Sequence, residues 1–107
     1  MNTTEFLVVL CTCPTAGAAD AIATALLEQR LAACVNRVSG IKSMYRWEDK
    51  VEHDDEVLLI IKTTQACFAR LESTVQALHP CDVPEIIGIP LAAGAKTYLE
   101  WIESSTR

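Results

Sequence analysis

Two short clusters hold most of the side chains in this chain that could do chemistry at sulfur or at a metal ion. Cys11, Thr12, Cys13 and Pro14 follow the apolar run Phe6 to Leu10, and Leu78, His79, Pro80 and Cys81 close an apolar-periodic stretch further on. Thiolate and imidazole are ligands that suit Cu(I) or Zn(II). A strand that ends at Cys11 just before a helix would place both thiols in the crevice beyond a strand's carboxyl end, where ligands tend to bind. Cys13 sits closest to the helix, whose N-terminal dipole favours the thiolate. Cys11, at the end of an apolar strand, reads either as a ligand or as a small core hydrophobe. His79 reads either as a ligand or as a cap on the last helical carbonyls. Cys13 as nucleophile with His79 as base would need an oxyanion donor and an orienting group. The sequence offers neither, so a non-enzymatic protein is expected.

The remaining candidates have simpler readings. Cys34 and Cys67 fall within or beside helical stretches as packing residues, and His53 falls on a polar strand. The acidic run Glu52, Asp54, Asp55, Glu56 lacks the glycine turn and ligand spacing of a calcium loop. Tyr45 and Trp47, with Tyr98 and Trp101 on the last helix, are large aromatics of the kind that anchor subunit interfaces.

Composition narrows the class. The chain has 107 residues, room for one domain over residues 1–107, with a formal net charge of −5 and nine Lys and Arg scattered singly. No basic stripe exists to follow a phosphate backbone, so nucleic acid is not an expected partner. Five cysteines, an odd number, without a secretion signal read as reduced thiols. No apolar run reaches the ~20 residues of a membrane span, and a cytoplasmic protein is expected. The mean hydropathy of +0.23 is high for a small chain and implies apolar surface buried against other subunits.

The elements that must position these residues follow from periodicity. Phe6 to Leu10 is a strand, and the Ala-rich stretch from Ala18 to Cys34 reads as an amphipathic helix with Ile22, Leu26 and Ala33 on one side. From Val38 to Lys62, β-branched and aromatic residues flank the turn Glu48, Asp49, Lys50, which predicts a long hairpin whose outer part projects beyond the core. Phe68, Leu71, Val75 and Leu78 mark a second helix, capped by Thr63 or Thr64 and stopped by Pro80. Glu85 to Ile89 reads as a short strand, and a last helix carries Tyr98, Leu99 and Ile102. The order β, α, β, β, α, β, α is an α+β, ferredoxin-like split βαβ sandwich with a long hairpin and an added C-terminal helix.

Three segments then carry a resemblance: Val9, Leu10, Cys11, Thr12 with Pro14; Leu31, Ala32, Ala33, Cys34, Val35, Asn36; and Tyr45, Arg46, Trp47, Glu48, Asp49, Lys50. With Glu56 to Thr64 and His79 to Ile86, the chain resembles the CutA divalent-cation tolerance proteins over nearly its whole length. The resemblance implies a PII-like protomer in a cytoplasmic homotrimer that binds copper or another divalent metal ion and takes part in metal tolerance. It further implies that Cys11 and His79 stand at ligand positions of the copper-holding members. Leu78 occupies the first of that family's two histidine positions and cannot ligate, so Cys13 or Cys81 is expected to stand in. Glu85 and Lys62 would line intersubunit clefts, by analogy of fold. The alternative the resemblance leaves is a PII-like sensor holding a small ligand in those clefts.

Overall fold

The computed structural model describes residues 1–107. A short 3-10 turn, Thr3–Glu5, leads into β1 (Phe6–Cys13), α1 (Ala16–Glu28), β2 (Cys34–Trp47), β3 (Lys50–Thr64), α2 (Gln65–Leu78), β4 (Ile87–Pro90) and α3 (Lys96–Ser105). The antiparallel sheet runs β2-β3-β1-β4, the order expected of a ferredoxin-like sandwich. The element order is the one the sequence predicts; among the boundaries that differ, three bear on the site.

The first difference matters most for chemistry. β1 does not stop at Cys11 but runs through Cys13, because the ladder with β3 continues with Cys11 opposite Leu59 and Cys13 opposite Val57. Cysteine extends the alternation of Leu7 and Val9 as a small hydrophobe, and all four face the helices. The thiols therefore lie under the helical layer, not in a loop above the sheet.

The second difference is the end of α1. The expected helix to Cys34 ends at Glu28, although Leu31, Ala32 and Ala33 keep the apolar pattern. Arg30 takes the left-handed region at φ 58, its N–H donates to the Leu27 carbonyl and that of Leu31 to Leu26. This is a Schellman stop with arginine where glycine is usual. The guanidinium holds Arg30 there by donating to the carbonyls of Arg107 (2.8 Å) and Ser104 (2.9 Å) at the end of α3. Cys34 consequently opens a strand and is not a helical residue. Third, β4 is shorter than expected and begins at Ile87, leaving Glu85 in the loop before it.

The main core lies between the sheet and α1 and α2, with Ile22, Leu26, Leu59, Ile61, Leu71 and Val75 fully buried. On α2 the buried residues are Cys67, Leu71 and Val75, while Leu78 is turned outward. Thr63 is buried against this core and donates its hydroxyl to the Leu31 carbonyl at 2.6 Å. A smaller cluster on the opposite face packs Leu99 and Ile102 of α3 onto Phe6. The rest of that face is uncovered. Register lays Asn36, Ile60, Leu10 and Ile87 in one row across the four strands, and Cys34, Lys62, Val8 and Ile89 in the next.

The outer hairpin projects as expected, giving a long axis of 45 Å against 27 and 23 Å. The ladder slips between Val38 and Ile41, where Gly40 takes φ 81, and the ribbon beyond is exposed along most of its length. Glu48 and Asp49, both left-handed at φ 49 and 64, make a two-residue turn between Trp47 and Lys50.

Candidate metal centre

Three of the expected ligands meet. Cys11 and Cys13 share one face of β1 because strand side chains repeat every two residues. α2 ends at Leu78, and Pro80 forces the chain to turn there, which delivers the His79 ring to the carboxyl end of β1. One ligand atom from each of Cys11, Cys13 and His79 lies within 4.8 Å of the other two, and all three residues are buried.

The two thiols are electrostatically unequal. The neighbouring Cys13 sulfur, together with burial, pushes the Cys11 thiol far above its usual range. The Cys11 side chain in turn holds the Cys13 thiol below its ordinary value despite burial. Two buried sulfurs on one strand face, each within reach of the other, form a soft donor pair.

His79 is fixed from both sides. Its Nε2 lies 2.7 Å from the Thr12 carbonyl, and the Cys81 N–H donates to its Nδ1 at 3.1 Å. A carbonyl only accepts and a backbone N–H only donates, so the ring is the neutral tautomer with the proton on Nε2. Neither Thr12 nor Cys81 contributes through its side chain here, and no residue pattern in the sequence announces backbone partners of this kind.

The two sulfurs suit a soft ion. They already lie within 4.8 Å of each other, so Cys11 and Cys13 would hold such an ion after only a small closure. Leu78, at the histidine position the resemblance leaves empty, is 45% exposed and turned away. Cys13 takes its place in the cluster; Cys81 is exposed and remains outside it.

The other expected residues divide between regions. Tyr45 and Trp47 of the hairpin, Glu85, His79 and Cys81 line one groove of about 1000 Å³ between the ribbon and the loop after α2. Asp82 and Glu85 of the loop line the groove together with Asp54 and Glu56 of β3, and burial, with Glu56, Asp54 and Asp82 nearby, raises the Cys81 thiol. Lys62 is not part of it: the ammonium donates to Asn36 Oδ1 on the uncovered sheet face. Trp101 packs against Tyr98 on α3, ring centres 5.5 Å apart, both rings partly exposed beside that same face.

The chain is similar to known proteins along nearly its whole length. The divalent-cation tolerance protein CutA of Thermus thermophilus is 50% identical over 99 residues, 92% of this chain and 96% of its own. The chloroplastic CutA of Arabidopsis thaliana is 47% identical over 106 residues, 99% of this chain but 58% of that longer protein. Among solved structures, the Thermus thermophilus divalent cation tolerance protein matches with a TM-score of 0.93 at 49% identity, covering 95% of this chain and 99% of the other. The rice CutA1 crystal structure matches with a TM-score of 0.93 at 46% identity, covering 98% and 96%. Residues 7–105 match the family described as CutA1 divalent ion tolerance protein, and the chain belongs to that family.

Proposed function

We propose that this CutA protein is a non-enzymatic cytoplasmic homotrimer that holds a soft metal ion, Cu(I) or Zn(II), at Cys11, Cys13 and His79 and serves in tolerance to such ions. The observation that carries the reading is the convergence of two buried sulfurs and one imidazole within 4.8 Å at the end of β1. When bound, the ion would supply a strong positive charge that neutralises the thiolates. The chain's own residues do the rest: the strand fixes the sulfur spacing, the helical layer excludes water, and Pro80 orients the imidazole. No helix is long and apolar enough to cross a membrane.

The trimer is supported by the uncovered sheet face, where Val8, Leu10, Leu58, Ile60, Ile87 and Ile89 form an apolar grid that a lone protomer would leave in water. Anaerobic titration with Cu(I) and with Zn(II), followed by native mass spectrometry, tests the whole reading. The expected species is a trimer with up to one ion per subunit. Cys13→Ser and His79→Ala should each weaken uptake by at least ~10-fold, the range seen even for outer-shell losses. Leu78→His, which restores a histidine on the outward face, should not help. A trimer that takes up neither ion specifically removes the metal reading.

A second reading rests on the groove of about 1000 Å³, a size that fits small ligands. In it the protein is a PII-like sensor, with Tyr45, Trp47 and Glu85 lining the ligand cleft and Lys62 contributing from a neighbouring subunit. A metal-free trimer that binds a small molecule, weakened by Trp47→Ala, would favour this reading over the first.

A further inference from the structure

The imidazole that the metal reading needs has no lone pair to give. Nε2 carries the proton and points at the Thr12 carbonyl, and the Nδ1 lone pair is taken by the Cys81 N–H. Two routes to ligation exist. Through Nδ1, the lone pair is withdrawn from Cys81 directly. Through Nε2, the ring proton must move to Nδ1, which then faces the Cys81 N–H donor to donor. The Thr12 contact survives one route and not the other, whereas the Cys81 bond survives neither.

That bond matters because little else ties the segment that contains it. From Pro80 to Ile86, before β4 takes up its ladder, the Cys81 N–H is the one backbone group with a hydrogen bond inside the protein. Burial anchors only the ends: His79 is nearly enclosed and Ile86 packs on the main core, while Val83 between them is 72% exposed. The same segment supplies one wall of the groove opposite Tyr45 and Trp47. A buried site and an exposed groove therefore share one hydrogen bond.

We infer that ligation at His79 and the Cys81 N–H···Nδ1 bond exclude each other, so that filling the thiol site releases the Cys81–Glu85 wall and alters the groove. This rests on the metal reading above and assigns its readout: occupancy of the buried site is reported at the surface as loosening of this wall. Any partner or ligand that recognises the groove then senses the ion without touching it.

The test uses the full-length chain, labelled with ¹⁵N under anaerobic conditions, with Zn(II) or Cu(I) added in the same buffer and stoichiometry read by native mass spectrometry. In the metal-free protein, long-range nitrogen spectra should show His79 as the Nε2–H tautomer. On loading, the Cys81 amide should exchange roughly three- to tenfold faster, as expected for the loss of one hydrogen bond, with Asp82 to Glu85 following. Cys81→Ala, which keeps the N–H and removes the thiol, should respond like the wild type. His79→Gln offers a carbonyl to Cys81 and an amide N–H to Thr12, so it should bind the ion weakly and show no change at Cys81. Stoichiometric binding with the Cys81 amide and the His79 tautomer unchanged overturns the inference and leaves the metal reading standing. An Nδ1–H tautomer in the metal-free protein overturns it whatever the ion does. Failure of the wild type to bind either ion overturns both.

Discussion

The two ends of β3 share one strand and one partner in β2, yet they are different materials. From Val57 to Thr64 the residues alternate fully buried and half-buried, wedged between β1 and the helical layer. From Lys50 to Asp55 every residue is exposed, and β2 opposite them is exposed almost throughout. Hydrogen-bond pairing is continuous past the Gly40 bulge, so the ladder alone does not separate order from stability. What separates them is what lies against each face. A two-stranded ribbon without a covered face is marginal in water, so within the protomer the outer hairpin has only its turn and its surface contacts to draw on.

The largest effect should come from the packed end. Leu59→Ala, opposite Cys11 and with no exposed surface, should cost about 3 kcal/mol in urea unfolding at fixed subunit concentration. Val51→Ala on the ribbon should cost less than about 0.5 kcal/mol. Equal losses would break the comparison and mean that the ribbon is buried in the assembly at Val51. Trp47→Ala sharpens it from the other side. It should leave the protomer fold intact while weakening association by about 2 kcal/mol, seen as dissociation on dilution by light scattering. An unchanged mass at low concentration would contradict its role as an anchor.

The thiol end also predicts a pH dependence that the ribbon does not share. The Cys11 proton is held well above the usual thiol range, so it is present at neutral pH and must leave when both sulfurs ligate. Affinity for Zn(II) should therefore rise with pH, by up to about tenfold per unit for each proton released. A competition titration between pH 6.5 and 8.5 with no slope would mean that Cys11 is not a ligand.

How much of this was legible depends on which force decides each feature. Helix α2, the long hairpin and the order of elements are written in side-chain periodicity, and they were readable. The stop of α1 was not, because Arg30 supplies no glycine signal and is held left-handed by carbonyls more than seventy residues away. The end of β1 was misplaced because Cys11 and Cys13 look like chemistry when they are also packing. At the site, the choice of Cys13 over Cys81 follows from strand period once the strand is known to continue. The grip of Thr12 and Cys81 on His79 is made by backbone atoms, and identity of side chains carries no trace of it.

Turn chemistry gives a smaller test. Glu48 and Asp49 both occupy the left-handed region, where residues with a Cβ are strained and Asn-Gly is preferred. Replacing the pair by Asn-Gly should stabilise the protein by about 1 kcal/mol, read as a rise in the unfolding midpoint. No change would mean that a neighbouring subunit, not the turn, sets the ribbon's register.

The smallest effect is the most local. Tyr45 donates its hydroxyl to Asp54, diagonally across the ribbon, and this bond with the nearby carboxylates pushes the phenol up to about 12 from its ordinary 10.0. The sign follows from the acceptor: a carboxylate stabilises the protonated phenol and repels the phenolate. The contact is whole below pH 10 and is lost as pH rises through about 12. In a Tyr98→Phe background, Asp54→Asn should bring the phenolate absorbance transition back toward 10. A transition that stays near 12 would assign the shift to Glu52 and Glu56 instead. In that case the ribbon's aromatic face would be held by the ladder alone, the Lys42–Asp55 ion pair lying on the opposite face, with correspondingly more of its order left for a partner subunit to supply.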